Sequence, residues 1–232
     1  MNVFILTPTG CRPEGLALLG EYLNAQTYHY QMTWVVVDDC DPATRIPNMR
    51  EGVTVDVVRP SWRWVPGMNT QAASLRAGLD RVPNDATLLV MEDDDVYLPG
   101  HVANMVNALQ LAEATGERVA RYYHVGAGRY RVLPSRHHAS LAATGVRRTG
   151  LNAFRNVCTG TKNRIDITFW QTFAGIKQFL DTGNVVGIKG LPGRPGIGVG
   201  HRRNFGKPDD GTKLREWIGD LADNYETFRE AV

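Results

Sequence analysis

The chain has 232 residues, 43% of them hydrophobic, which is enough for one sizeable core and too little for two full domains with a linker. No run of about eighteen or more apolar residues occurs, which excludes a transmembrane helix of ordinary length. The N-terminal residues lack the basic start and long apolar centre of a signal peptide. Cys11, Cys40 and Cys158 show no ligand-like spacing, so we expect neither a disulfide framework nor a zinc site, and a reducing, cytoplasmic location.

The net charge of +2 hides a strong asymmetry along the chain. Residues 1–117 contain 7 Lys/Arg and 15 Asp/Glu, residues 118–215 contain 18 and 4, and residues 216–232 contain 1 and 5. The basic middle block indicates a polyanionic partner or, with equal weight, a solvated basic face that balances the acidic first half.

The first half alternates apolar runs with amphipathic segments. The runs predict strands at 3–6, 34–37, 53–58 and 88–91, and the segments between and after them predict helices at 13–23, 67–79 and 99–114. This alternation predicts an α/β fold in which helices cover both faces of a mostly parallel sheet. Ligands of such sheets bind beyond the carboxyl ends of the strands, where the sequence places Thr7, Arg12, Asp38-Asp39 and Glu92–Asp95.

The second half is less regular. Strands are predicted at 118–124, 129–133 and 185–188, helices at 166–179 and 214–228, and a glycine-rich loop at 187–206.

Four adjacent carboxylates, Glu92-Asp93-Asp94-Asp95, follow the apolar run 88–91. Because neighbouring carboxylates repel each other, such a run at a buried strand end requires a compensating cation. Oxygen ligands of this kind suit Mg²⁺ or Mn²⁺, which also bind substrate phosphates. The position of the run between two apolar segments favours this metal site over a solvated acidic turn.

Other candidates each have a plainer alternative. The pair Asp38-Asp39 suits a uracil imide or a ribose hydroxyl, or else caps a turn. His201 suits a metal, and Arg194, Arg202 and Arg203 suit a leaving diphosphate, unless the loop is only a solvated basic segment. Asp166 suits a general base, a structural ion pair or a helix cap. Five aromatic residues suit stacking on a sugar or base, although packing is the favoured interpretation for most: Trp62, Trp64, Tyr122, Tyr123 and Tyr130.

Together these motifs resemble the family 2 glycosyltransferases, which have the GT-A fold. The matching segments, in order, are Ile5–Pro13, Gln26-Thr27 with Trp34–Asp39, Asn69–Leu79, and Leu89–Asp95 followed by Pro99. The resemblance covers about residues 3–105 and is specific because four motifs occur in order. It implies a Rossmann-like, mostly parallel sheet flanked by helices, with a less regular acceptor-side C-terminal half.

The resemblance also implies roles for single residues. Thr7, Arg12 and Asp39 would contact the nucleoside, usually uridine, and Asp38 and Arg76 are further candidates for donor binding. Asp94 would bind the metal, helped by Glu92 or Asp93, because Glu92 departs from the aspartate of the family motif. Asp166 would be the base, and His201 would complete the metal site.

The implied activity is a metal-dependent, inverting transfer of a sugar from a nucleotide-sugar, a UDP-sugar, to a hydroxyl acceptor. Residues 1–232 would form one GT-A domain, with a nucleotide-sugar half (1–117), a basic acceptor half (118–215) and a C-terminal helix (216–232).

The basic half favours a nucleic-acid acceptor, since Lys and Arg contacts to phosphates dominate such binding. The small size resembles phage enzymes that glycosylate hydroxymethylated pyrimidines in DNA, which requires the target base to be flipped out. Candidate contacts are Arg147, Arg148, Arg155, Lys162, Arg164, Arg202 and Arg203. A glycan, lipid or protein acceptor, a nucleotidyltransferase and a non-catalytic nucleic-acid-binding module stay open as alternatives.

Overall fold

The computed structural model describes residues 2–161, 163–194, 196 and 201–228, which form an α/β fold with two β-sheets. The strands are β1 Val3–Thr9, β2 Met32–Asp38, β3 Val53–Val58, β4 Thr87–Val90, β5 Asp95–Tyr97, β6 Ala114–Glu117, β7 Val119–His124, β8 Arg129–Pro134, β9 Thr144–Arg147, β10 Lys177–Leu180, β11 Val185–Lys189 and β12 Lys207–Pro208. The helices are α1 Pro13–Asn24, α2 Gln71–Leu79, α3 His101–Leu111, α4 Thr149–Gly160, α5 Ile165–Thr172 and α6 Thr212–Ile218, with 3-10 helices at Leu141–Ala143 and Gly219–Phe228.

The larger sheet has seven strands in the order β10-β6-β9-β4-β1-β2-β3. Strand β1 is parallel to both β2 and β4, and β2 is parallel to β3. Only β9 runs antiparallel to its neighbours β4 and β6. The carboxyl ends of β1, β2 and β4 therefore meet at one edge, with Thr9 opposite Asp38. The predicted, mostly parallel sheet is confirmed.

Helices cover both faces of this sheet. Consecutive residues of β1 point to opposite sides, so Ile5 packs in one apolar cluster with α1 and α3, and Leu6 packs in another with α2, α4 and α5. Most members of both clusters are almost fully buried, and each such side chain contributes about 1.5–3 kcal/mol to folding. The two apolar clusters hold the strands in position, and the candidate site depends on where these strands end.

The smaller sheet has the order β12-β8-β7-β11-β5. Strand β5 pairs antiparallel with β11, which places Asp95 opposite Gly187, and β11 pairs parallel with β7. Because β5 begins at Asp95, the last residue of the acidic run, this sheet brings residues of β7 and β11 to that run.

Two predicted helices are partly wrong. The helix predicted at 166–179 ends at Thr172, and residues 177–180 form β10, which pairs with β6. The helix predicted at 214–228 ends at Ile218, because Gly219 adopts a positive φ of +59°, and a 3-10 helix follows. Among the described residues, no helix has both the length and the apolar character needed to cross a membrane.

Candidate active site

The acidic run lies at the carboxyl edge of the larger sheet, between β4 and β5. Asp93, Asp94 and Asp95 are buried and Glu92 is half-buried. Glu92 accepts a hydrogen bond from Gln71 Nε2 at 2.7 Å, and its backbone N–H donates to the Tyr97 hydroxyl at 2.7 Å. The four carboxylates are therefore held in place inside the fold and do not form a solvated turn.

Asp93 fastens the loop between β1 and α1 to the acidic run. It accepts a hydrogen bond from the Thr9 hydroxyl at 2.7 Å and forms an ion pair with Arg12 at 2.7 Å. Arg12 also lies 3.1 Å from Asp94. A Cβ at Gly15 would lie 2.4 Å from the Asp93 carbonyl oxygen, so glycine allows α1 to approach this closely. Asp93, named with Glu92 as the expected helper of Asp94 at the metal and as a further donor-binding candidate, thus has internal partners for its carboxylate.

Glu92, Asp94 and Asp95 can converge on one metal ion. Each offers a carboxylate oxygen, and the three oxygens lie within 4.8 Å of one another. Glu92 and Asp94 were the expected ligands. Asp95 was not, although it belongs to the same run, because its direction depends on the pairing of β5 with β11.

Lys189 is a second residue of the candidate site that the sequence patterns did not predict. It lies at the end of β11, is 8% exposed, and its Nζ is 3.0 Å from both Asp94 and Asp95. Together with Arg12 it supplies two positive charges, so the run keeps two negative charges once all four carboxylates are ionised. A single divalent cation matches that remaining charge.

The pKa values in the run diverge strongly. Burial raises the pKa of Glu92 to about 8 and that of Asp95 to about 7. Burial also opposes ionisation of Asp94, but Arg12 and Lys189 outweigh it and hold the pKa of Asp94 well below its usual range. At neutral pH Glu92 and Asp95 therefore retain protons that binding of a divalent cation would release, whereas Asp94 stays ionised.

His201 lies beside the cluster, with its Nε2 3.9 Å from Asp94 Oδ2. Burial, together with the charge of Lys189, lowers the pKa of His201 to about 4, so the imidazole is neutral at pH 7. A neutral imidazole has the lone pair that a metal ligand needs. The neighbouring residues 197–200 and Pro195 of the glycine-rich loop lie outside the described residues.

At the end of β2, the two aspartates have different partners. Asp38 is fully buried and accepts hydrogen bonds from the backbone N–H groups of Cys40 and Thr44, at 3.0 and 2.7 Å. It also forms an ion pair with Arg59. It therefore orders the following loop. Asp39 instead pairs with Arg194 at 2.8 Å.

Thr7, expected at the nucleoside, lies beneath this edge. It is 0% exposed, and its hydroxyl accepts a hydrogen bond from the Trp34 indole N–H at 2.9 Å. The structure therefore places it as a support for β2.

A disulfide joins Cys11 to Cys40, which corrects the expectation that the cysteines stay unpaired. Each cysteine lies two residues beyond the end of a strand, and the two strands are parallel neighbours. Cys158 is free and buried in α4. The disulfide links the loop that contains Arg12 to the loop that contains Asp39, and it removes the support that the cysteines gave to a cytoplasmic location.

Asp166 lies in the first turn of α5, on the basic side of the site. Burial raises its pKa, and a hydrogen bond from the Ile167 backbone together with the charges of His138 and Arg164 acts against this rise. Asp166 also acts electrostatically on Tyr122, whose ring lies 5.9 Å from Lys189 Nζ.

The remaining arginines differ in how available they are. Arg76 donates to the Thr159 carbonyl of α4 at 3.5 Å, and Arg147 donates to the Gln110 carbonyl at 2.9 Å. Arg155 bridges α4 to Asn84 and Val82. The exposed members of the predicted set are Arg148, Arg164, Arg202 and Arg203, whereas Lys162 lies outside the described residues.

The sequence matches no protein-family model and no curated protein. Solved structures do share its fold. S. aureus TarS 1-349 in complex with UDP-GlcNAc aligns with a TM-score of 0.56 and 14% identity over 84% of this chain and 60% of that one. S. aureus TarS aligns with a TM-score of 0.51 and 12% identity over 81% of this chain and 37% of that one.

This chain therefore spans less than two thirds of the length of either neighbour. At such identities the similarity establishes the architecture, and it confirms the predicted GT-A fold class.

Proposed function

We propose that this chain is a glycosyltransferase that takes a sugar from a nucleotide-sugar, with a UDP-sugar as the donor, and transfers it to a hydroxyl acceptor. The main support is the convergence of three carboxylates at the strand-end edge of a GT-A fold, where the fully ionised acidic run exceeds its two cations by two negative charges. The UDP-GlcNAc complex of a structural neighbour supports the choice of donor.

The ligand set fits Mn²⁺ or Mg²⁺. Glu92, Asp94 and Asp95 supply oxygens, and His201 supplies a neutral nitrogen next to Asp94. A bound divalent cation would hold the donor diphosphate and offset the charge of the leaving nucleotide. Arg202, which is exposed beside His201, is available for charge-assisted hydrogen bonds to the same diphosphate.

Asp166, in the first turn of α5, serves as the general base. Its raised pKa gives the carboxylate a higher proton affinity, which suits removal of a proton from an acceptor hydroxyl. A base on the acceptor side, with the leaving group held by the acidic run, leads to a single displacement and inversion at the anomeric carbon.

Asp166→Asn should lower kcat by about 10²–10⁴-fold while leaving donor affinity unchanged, because the amide cannot accept the proton. Asp181→Asn is the matched control, since Asp181 is an exposed partner of Arg118 in the same half of the chain. Unchanged turnover in Asp166→Asn would remove this residue from the catalytic set.

A thermal-shift panel of nucleotide-sugars with Mn²⁺ tests the proposed activity class. A ligand that binds only the folded state at a hundred times its Kd adds about 2.7 kcal/mol of stability. We expect the largest shift from a UDP-sugar and a much smaller one when EDTA replaces the metal. No shift with any nucleotide-sugar would contradict the proposal.

For the acceptor we propose a polyanion, with a modified base in DNA as the specific candidate. The support is the basic half, from which Arg148, Arg164 and Arg202 are exposed, the second of them near Asp166. A salt titration of duplex DNA binding should show log Kd rising steeply with log salt concentration. Absence of binding at low salt would leave a glycan, lipid or protein hydroxyl as the acceptor.

A further inference from the structure

The side chain of Arg194 is largely buried at the carboxyl ends of β1 and β2, beside Asp39, which was expected to contact the nucleoside. It lies in a segment without helix or strand structure, yet its side chain is only 12% exposed. Its Nη1 lies 2.8 Å from Asp39, and its Nη2 lies 3.6 Å from Cys11 Sγ. Such burial of the side chain is unusual for an arginine in a segment without regular secondary structure.

The guanidinium stacks on an aromatic ring. Its central carbon lies 4.4 Å from the centroid of Trp64. The Trp64 indole N–H donates to the Met68 carbonyl at 2.9 Å, so the ring is anchored within the loop that precedes α2. Trp64 therefore provides a fixed flat surface directly beside Asp39.

The backbone holds Arg194 at this position. Gly193 has a φ of +104°, and a Cβ there would lie 2.3 Å from the Cys11 carbonyl oxygen. Only glycine allows the segment to approach the loop between β1 and α1 so closely.

The hydrogen bonds between Arg194 and its surroundings are nevertheless incomplete. Within the part of the chain that the structure describes, Asp39 Oδ1 and Arg194 Nε are both buried without a hydrogen bond of good geometry, although Oδ1 lies 2.8 Å from Nη1. Arg194 Nη1 does donate a hydrogen bond to Asp39 Oδ2 at 2.9 Å, but its angle to Oδ1 is poor, so Oδ1 stays available for a better-placed N–H. A buried polar group left without a hydrogen bond costs about 1–3 kcal/mol.

Building on the proposed function and on the nucleoside contact expected of Asp39, we infer that the Arg194 guanidinium occupies the place of a nucleobase between Asp39 and the Trp64 ring, here called the nucleobase slot, until a base replaces it. A guanidinium and a nucleobase share the relevant properties, since both are planar, stack on indole and donate N–H groups. A carboxylate can only accept, so the slot selects a base with a ring N–H at its pairing edge. Uracil and guanine have that N–H, and cytosine does not.

Removal of the Arg194 side chain should strengthen binding of a nucleoside. In the wild-type protein the slot is free for only a fraction of the time, and the apparent Kd is raised by that fraction. Uridine is the probe, because it lacks the diphosphate that arginines would also bind.

Arg194→Ala should lower the Kd for uridine by about tenfold in a saturation-transfer NMR titration. Arg81→Ala is the charge-matched control, because Arg81 is exposed on the turn before β4, at the opposite edge of the sheet. An unchanged or weaker affinity of Arg194→Ala for uridine would overturn the inference.

Two further arms test the slot itself. Trp64→Ala in the Arg194→Ala background should lose the gain, and cytidine should bind at least about tenfold more weakly than uridine or guanosine. Equal binding of cytidine, or retention of the gain without Trp64, would contradict the assignment. The tighter of uridine and guanosine identifies the base.

The outcome also separates this inference from the proposed function. If wild-type protein binds UDP with Mn²⁺ but Arg194→Ala gains nothing for uridine, the slot assignment alone fails. If neither UDP nor any other nucleotide binds with Mn²⁺, the proposed function fails.

Discussion

Among single residues, the cations around the acidic run decide what it can bind. Arg12 serves Asp93 and Asp94, and Lys189 serves Asp94 and Asp95. Neither removes the whole negative charge, which explains how a run with internal ion pairs can still attract a divalent cation. The chain thus uses fixed cations to keep the carboxylates in place and leaves the residual charge for a ligand.

Lys189→Met should lower the free energy of unfolding by about 3 kcal/mol in EDTA, because Asp94 and Asp95 lose their shared buried partner. Mn²⁺ should restore part of this loss by binding the folded state. Urea unfolding with and without Mn²⁺ measures both effects. Lys213→Met, which removes an exposed pair with Glu216, should cost less than about 1 kcal/mol. Equal losses in the two variants would contradict the structural role of Lys189.

The buried imidazole of His101 makes stability depend on pH. Burial lowers its pKa from 6.5 to about 3, and among the described residues neither ring nitrogen has a hydrogen-bond partner. The folded state holds the imidazole neutral, whereas the unfolded chain protonates it near pH 6.5. This contribution to stability is therefore complete above pH 6.5 and declines as the pH falls from there toward 3.

Between about pH 7.5 and 5.5, this one group should cost about 1 kcal/mol of unfolding free energy. Denaturant titrations at the two pH values, on wild type and His101→Phe, isolate the contribution as the difference in pH dependence. An identical pH dependence in the two proteins would show that His101 is not held neutral.

Among elements, close helix–sheet contacts set the position of the site. Helix α2 lies against β1 and β2 through Gly78, where a Cβ would lie 2.2 Å from Leu6 Cδ1 and 2.8 Å from Val37 Cγ2. The same helix begins at Gln71, which holds Glu92. A shift of α2 away from the sheet would therefore disturb a metal-ligand candidate.

Gly78→Ala should destabilise the fold by about 1–3 kcal/mol through overpacking, despite the higher helix propensity of alanine. Gly160→Ala is the control, because no described atom lies within 4 Å of a Cβ at that end of α4. Thermal unfolding should show Gly160→Ala unchanged or slightly stabilised. A Gly78→Ala variant as stable as Gly160→Ala would show that α2 has room to move.

The elements also show where sequence patterns are informative. Strong apolar runs such as 34–37 predicted their strands because each is buried on both faces. Strands β6 and β9 were missed because they are four residues long, with sequences Ala-Thr-Gly-Glu and Thr-Gly-Val-Arg that have little apolar periodicity. Helix α4 was also not predicted, although the sequence contains a pattern for it: Leu151, Phe154 and Cys158 follow helical spacing and are buried.

In the whole molecule, the predicted part of the site is the part set by the parallel sheet. Arg12, Asp39 and the acidic run converge because they follow adjacent strands, a rule that needs only the order of strands and helices. The same rule would have brought Cys11 to Cys40. Lys189 and the direction of Asp95 depend on the second sheet, whose long-range pairing of β5 with β11 leaves no local signal.

The acidic and basic halves of the chain contribute different parts of the candidate site. The acidic half contains the strand ends and the metal-ligand candidates, and the basic half contributes Lys189 to that site while exposing other arginines. The overall net charge of +2 conceals this arrangement, and the exposed arginines are the reason for proposing a polyanionic acceptor.

The central claim is that the acidic run binds a nucleotide through a divalent cation. Isothermal titration of UDP, with Mn²⁺ or with EDTA, on wild type, Asp94→Asn and the exposed control Asp85→Asn tests it most directly. We predict that wild type and Asp85→Asn bind UDP more than about tenfold more tightly with Mn²⁺, a gain of about 1.4 kcal/mol, and that Asp94→Asn loses this gain. Equal UDP affinity in Mn²⁺ and EDTA, or a full Mn²⁺-dependent gain in Asp94→Asn, would contradict the claim.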